Sequence, residues 1–388
     1  MTDDAHTSKR SGISRKSVLR GFAGTGAAAL STGFLRSTTS EAFAQASPSK
    51  IVKVPANGKY ETVALRKDVI RVTAVQSPIR AADPNSPKKV MTANLNSMLE
   101  SIDQANGFPG PQDLVCFHEQ PIMGWNPWTR EEALKVAIEI PGIETEALGK
   151  KAKEYGCYIA FGTYAKSDDW PGHLLLIGVL IGPDGEVAAQ HWKLHNVRLS
   201  PTWTMYTTSV WDVLDQYTEM YGADAVLPIA RTDIGNLSLT ISPYDPDIHR
   251  ALAIKGAEVC VRFSSGGFSA EDSKSAALFN QNYVITVNQS LSPDQPGFPA
   301  YAGAGGTSIY GPFGREVDMA ESIHEEHITA AIPIAEFRNT HRPPDVPLAM
   351  VMPVYEQYQP PNPPNLLAKY LPETPEEAAK FFTSNRTW

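Results

Sequence analysis

The sequence predicts an α/β layered domain with mixed sheets. Three observations carry that expectation: runs rich in β-branched residues recur along the chain, amphipathic helical segments separate the early ones, and a Gly-Pro-Asp-Gly turn joins two long apolar runs as a hairpin. Residues 69–76 hold Val69, Ile70, Val72, Thr73 and Val75, side chains that crowd a helix and fit a pleated surface, so they form a first strand. Val90, Met91, Leu95, Met98, Leu99 and Ile102 recur at helical spacing over 88–106. Residues 113–117 are a short continuous apolar run, as expected of a strand buried on both faces. A helix at 145–154 and a strand at 157–164 follow. Segments 174–181 and 187–192 flank Gly182-Pro183-Asp184-Gly185 and make the hairpin. Further strands are expected at 237–241, 257–263, 283–288, 306–310 and 327–332. From Asp345 the chain turns Pro-rich, and because proline fixes φ and removes a donor this tail is expected to lie extended on a surface, ending in a helix near 373–382.

The chain has 388 residues, 42% hydrophobic and 20% charged, with 34 basic and 42 acidic side chains for a net charge of −8. That composition excludes intrinsic disorder. The acidic balance argues against a nucleic-acid partner, which needs a basic face to neutralise phosphates. Three cysteines, Cys116, Cys157 and Cys260, are too few for a disulfide framework, and each falls in or beside an apolar run as a core residue. Residues 1–46 read as an export signal. Arg15 and Lys16 precede the short, small-residue stretch 21–30, and Ala42-Phe43-Ala44 supplies a cleavage site, so the signal is twin-arginine-like and the mature chain is expected to begin near 45 or 47, periplasmic or secreted, with no membrane span. Three regions are expected: 1–46 signal and linker, 65–340 the domain, 341–388 the tail.

Five segments in order carry a resemblance. Ala74-Val75-Gln76 opens it; Leu114-Val115-Cys116-Phe117-His118-Glu119, the hairpin strand ending at His191-Trp192-Lys193, the stretch from Ile248-His249-Arg250 to Glu258-Val259, and Gly306-Thr307-Ser308-Ile309-Tyr310-Gly311 follow. Together they resemble the nitrilase (carbon-nitrogen hydrolase) superfamily, nearest its aliphatic amidase and formamidase branch. The resemblance implies a four-layer αββα sandwich that associates into dimers or larger homo-oligomers. It also implies amide, nitrile or carboxylate ligands, no cofactor, and a catalytic glutamate, lysine and cysteine. The first two carry over to Glu119 and Lys193, with Arg198 a weaker competitor for the lysine position. Their chemistry is complementary: a carboxylate moves protons and an ammonium stabilises a developing oxyanion.

The nucleophile position breaks the pattern. Counting back from Arg250 places Thr240 there, aligning the preceding strand places Ser242, and matching Tyr244-Asp245 places Pro243; no register supplies a cysteine. A hydroxyl has a far higher pKa than a thiol, so catalysis is expected to be altered or lost. Three classes of function follow: an exported hydrolase in which Ser242, Thr240 or Glu119-activated water attacks, with His118 or His249 as assistants; a non-catalytic ligand-binding relative; and a scaffold. Glu219 is a candidate for an additional glutamate that many family members carry. His191 and His195 stand at i, i+4 without a completing ligand, so no metal is expected.

Overall fold

The computed structural model describes residues 49–55, 57–196, 198, 200–241, 244–266, 270–292 and 303–388. The export signal expected at 1–46 lies outside the described residues, as do Ser242 and Pro243.

In chain order the strands are β1 (Ile70–Gln76), β2 (Leu114–Cys116), β3 (Tyr158–Ala165), β4 (Leu175–Ile181), β5 (Val187–Trp192), β6 (Ala230–Thr232), β7 (Gly235–Thr240), β8 (Val259–Phe263), β9 (Tyr283–Val287), β10 (Ser308–Gly311), β11 (Arg315–Met319) and β12 (Glu326–Ile332). The helices are α1 (Lys88–Gly107), α2 (Arg130–Val136), α3 (Ile143–Tyr155), α4 (Leu214–Tyr221), α5 (Pro246–Ile254), α6 (Ala270–Asn280), α7 (Ile334–Thr340), α8 (Leu348–Gln357) and α9 (Pro375–Ser384). The expected strands and helices are present with ends shifted by a few residues, and β6, β11, α2, α4, α6 and α7 are additions to them.

The strands form two six-stranded sheets, ordered β12-β1-β2-β3-β4-β5 and β11-β10-β9-β8-β7-β6. Within each, the central strands run parallel and the hairpins antiparallel. The sheets pack face to face through β4 on β7, β5 on β7, β3 on β8 and β1 on β9. Helices α1 and α3 cover one outer face, and α5 and α6 cover the other. This is the αββα sandwich, and its core strands β3 and β4 are buried at every position because both faces are covered.

Two details lock the sheets together. Gly178 of β4 lies where a Cβ would stand 2.7 Å from the Phe263 ring, so only glycine allows that approach. The β6 ladder ends at Leu237, and past its end the Leu239 amide donates to His191 Nδ1 of β5 at 3.1 Å. The i, i+4 histidine pair is thus divided in role, with His191 bridging the sheets and His195 Nδ1 standing 3.2 Å from Asp245 Oδ1.

The tail corrects one expectation. Residues 348–357 are helical rather than extended, because Leu348, Ala349, Met350 and Met352 are strong helix formers that carry Pro353 inside the helix. Irregular chain with a 3-10 turn at Leu366–Ala368 follows it, and α9 then packs Ala378, Ala379 and Phe382 into the core. Buried Arg130 donates to the Pro372 carbonyl, and Asn362 donates to that of Phe382 at 2.8 Å. No described helix is long and apolar enough to cross a membrane.

Candidate active site

The strand ends of both sheets meet at one edge of the sandwich. The β2–β3 ladder continues past Cys116, with Phe117 N–H bonding Ala160 O at 2.8 Å and Gly162 N–H bonding His118 O at 3.0 Å. The next residue leaves its own sheet: Glu119 N–H donates to Ser264 O at 3.2 Å, just past β8 of the other sheet. Beneath this crossing lies Gly162 of β3, where a Cβ would meet the Glu119 carbonyl oxygen at 2.6 Å and its Cα at 2.7 Å.

Lys193 follows β5. Its N–H donates to Leu176 O at 2.8 Å, and its own carbonyl accepts from Val210 N–H at 2.9 Å, so the backbone on both sides is fixed. The ammonium Nζ lies 4.0 Å from Glu119 Oε1, and the two side chains are only 8% and 11% exposed. Two opposite charges held at this distance away from water are costly to desolvate. Each is stabilised by its partner and by local hydrogen bonds, and among the described residues Ser265 Oγ donates to Glu119 Oε2.

Of the sequence candidates, Glu119 and Lys193 are therefore brought together. Thr240 is not. Successive side chains of a strand face opposite ways, and on β7 Leu239 takes the face toward the other sheet, with its Cβ 3.1 Å from the Cβ position of Gly178. Thr240 Oγ1 accordingly points into the helix layer, 3.8 Å from Cys260 Sγ, which is in turn 3.8 Å from His249 Nδ1. Thr240 and His249 thus belong to a buried cluster under α5. Arg198 pairs with Asp212 and stacks on Phe382 at 3.8 Å, and Glu219 is exposed on α4, so neither stands with Glu119.

His118 is buried, and its Nδ1 accepts from Gln120 N–H at 3.2 Å, bracing the turn that carries Glu119. The three cysteines are free and buried, and burial raises each thiol pKa, that of Cys157 to about 11. They remain thiols near neutral pH. Among the described residues no group of three or more His, Cys, Asp or Glu side chains is placed to hold a metal ion.

Two residues of the site escaped the sequence reading. Gly162 had a signal, since a glycine inside a strand marks close backbone approach. Ser265 had none, since nothing local distinguishes it from Ser264 in the run Ser264-Ser265-Gly266-Gly267.

Burial pushes the pKa of both His118 and His191 down to about 3. The unfolded chain, with histidine near 6.5, binds protons that the folded chain refuses. The stability these neutral rings confer is complete above pH 6.5 and is lost as pH falls from there toward 3. Each contributes a slope of up to about 1.4 kcal/mol per pH unit. Urea midpoints measured at pH 7.5, 6 and 5 are expected to fall steadily, and to fall less steeply in a His118→Gln/His191→Gln variant. Parallel slopes would mean that the rings are protonated in the native state.

A cavity of about 740 Å³ begins one residue beyond Lys193, at Leu194 and His195. Trp211, Leu214, Tyr358 and Phe382 contribute to its walls, so the segment after β5 and the C-terminal tail build it together. Thr204 lines it with a buried hydroxyl that has no hydrogen-bond partner among the described residues.

Residues 71–342 match the protein family described as carbon-nitrogen hydrolase. The chain is 26% identical over 254 residues to an omega-amidase of Xenopus tropicalis, covering 62% of this chain and 83% of that one. It is 24% identical over 230 residues to a beta-ureidopropionase of Arabidopsis thaliana, covering 57% of this chain and about half, 53%, of the plant protein's length. Among solved structures it is similar to a double mutant of the amidase from Nesterenkonia sp. AN1 in complex with acrylamide, with a TM-score of 0.51 at 15% identity, over 76% of this chain and 99% of that one.

Proposed function

The chain belongs to the carbon-nitrogen hydrolase family, and from that premise we propose that it is an exported protein that hydrolyses small amides or nitriles slowly, through an oxygen rather than a sulfur nucleophile. The observation that carries this reading is the buried Glu119–Lys193 pair at 4.0 Å on the converging strand ends. A carboxylate there takes a proton from the attacking oxygen and returns it to the leaving nitrogen. The ammonium stands beside the carbonyl oxygen as it gains charge. Amide substrates are supported by the omega-amidase relative and by the acrylamide complex of the Nesterenkonia amidase. The rate is slow because a hydroxyl is a far poorer nucleophile than a thiolate near neutral pH.

Ammonia release from acetamide and acetonitrile tests the proposal. Turnover is expected, and Lys193→Met is expected to lower kcat by about 10²–10³-fold, the usual cost of removing one oxyanion-stabilising group. A wild-type protein without turnover would overturn the hydrolase reading. Export is tested by the N-terminus of the protein recovered outside the cytoplasm, expected near residue 45 or 47; recovery only inside cells, with residue 1 retained, would sink it.

The cavity beyond Lys193 favours one second reading, a non-catalytic member that binds a ligand there. Its volume of about 740 Å³ lies within the roughly 300–1,000 Å³ of small-molecule pockets, and the Thr204 hydroxyl provides a donor. Binding of an aromatic amide such as benzamide, weakened by Trp211→Ala in a protein that releases no ammonia, would favour this reading over hydrolysis.

A further inference from the structure

We infer that Ser265 is the nucleophile of this site, an inference that rests on the hydrolase reading above. Its Oγ donates to Glu119 Oε2 while Lys193 Nζ stands 4.0 Å from Oε1, so one carboxylate joins hydroxyl and ammonium. A nucleophile and its base in hydrogen-bond contact, with the base further oriented by a third group, is the arrangement that activates an alcohol.

Access separates Ser265 from the other described hydroxyls nearby. Ser238, Thr240 and Ser264 are 0%, 1% and 0% exposed, whereas Ser265 is half-buried. Its position is also fixed. Ser264 N–H bonds Val287 O at 2.9 Å, Ser264 O accepts from Glu119 N–H, and Gly266 N–H bonds Asn288 Oδ1 at 2.9 Å. Asn288 is itself held, by Thr307 Oγ1 on its N–H at 3.0 Å and by the Gly305 carbonyl on Nδ2 at 2.7 Å. Gly266, three residues past the end of β8, turns at φ +87°, a value that costs glycine little.

The step balances. Ser265 Oγ bonds to the amide carbon, its proton passes to Glu119, and the carbonyl electron pair moves onto oxygen beside Lys193. The carbonyl re-forms, the C–N bond breaks, and nitrogen takes the proton from Glu119 and leaves as ammonia. Water then attacks the seryl ester, gives its proton to Glu119, and Ser265 Oγ recovers that proton as the carboxylic acid departs. The sum is amide plus water to acid plus ammonia.

Labelling of the full chain with a fluorophosphonate, followed by peptide mass mapping, reads the nucleophile without relying on turnover. The label is expected on Ser265 and is expected to be absent from Ser265→Ala. Ammonia release from acetamide by Ser265→Ala is expected to fall at least 10³-fold, as loss of a nucleophile does, with the melting temperature held. Ser265→Cys serves as a second variant: it is expected to become sensitive to iodoacetamide and to lose turnover on alkylation. Label on Ser242, or a Ser265→Ala variant within twofold of wild type, would overturn the inference while leaving slow hydrolysis intact. An unlabelled wild type with an iodoacetamide-resistant Ser265→Cys would also overturn it, leaving Ser265 as a group that only positions Glu119. A wild type that neither labels nor releases ammonia would remove the hydrolase reading as well.

Discussion

Glu119→Gln is expected to lower kcat by about 10²–10⁴-fold, the usual worth of a positioned general acid–base group, and to destabilise the fold by about 3–5 kcal/mol. Both losses come from one removed charge. Without the carboxylate, Ser265 loses the base that its Oγ contacts. Lys193, with a side chain 8% exposed, keeps a buried ammonium that has lost the anion 4.0 Å away. The two effects separate in a double variant. Glu119→Gln/Lys193→Met removes both charges, and replacing a buried pair by neutral groups is often close to neutral for stability. It is therefore expected to recover most of the denaturant midpoint and none of the ammonia release. A single Glu119→Gln variant with wild-type stability would mean that Lys193 is neutralised by something other than Glu119.

Gly162→Ala is expected to damage the site from behind. The added Cβ would stand 2.6 Å from the Glu119 carbonyl oxygen and 2.7 Å from its Cα. These are backbone atoms that no rotamer change can move aside. The strand cannot simply withdraw, because Gly162 N–H bonds His118 O at 3.0 Å and lies in the fully buried β3. Glu119 must shift, and with it the contacts to Ser265 and Lys193. Overpacking of this kind costs about 1–3 kcal/mol, and a displacement near 1 Å in a catalytic group costs about 10²-fold in rate. Melting temperature and ammonia release from acetamide should fall together. Full activity in a stable Gly162→Ala variant would show that Glu119 tolerates displacement and is not the base.

Much of the architecture was legible because its signals are local. The central strands are buried on both faces and read as continuous apolar runs, and the Gly182–Gly185 turn announces its hairpin. Helices α2, α4 and α6 lack such clarity: they are short or carry apolar residues in no regular stripe, and their order comes from what they pack against. For α2 the local signal is a capping box of Thr129 with Glu132, too short a pattern to mark a helix without an apolar stripe behind it. The helical stretch 348–357 was obscured by its flanking prolines.

The site divides along the same line. Glu119 and Lys193 were legible because the segments that end on them resemble, in order and spacing, the motifs of the carbon-nitrogen hydrolase superfamily, and the absence of cysteine from every register of the 240–243 segment is a property of the sequence itself. Thr240 shows the limit. Its distance from Arg250 matched, but strand alternation turned its hydroxyl toward Cys260 and His249. Ser265 shows the converse. It meets Glu119 across 146 residues of chain and from the other sheet, a contact set by how the two sheets stack and by the bond of Ser264 to the Glu119 amide. By itself the sequence determined the strands, the charges at their ends and the missing thiol, because periodicity and residue type are written locally. Which hydroxyl faces the carboxylate was decided only by the tertiary structure, because that choice depends on the register and separation of two sheets whose contacting residues are remote in the chain.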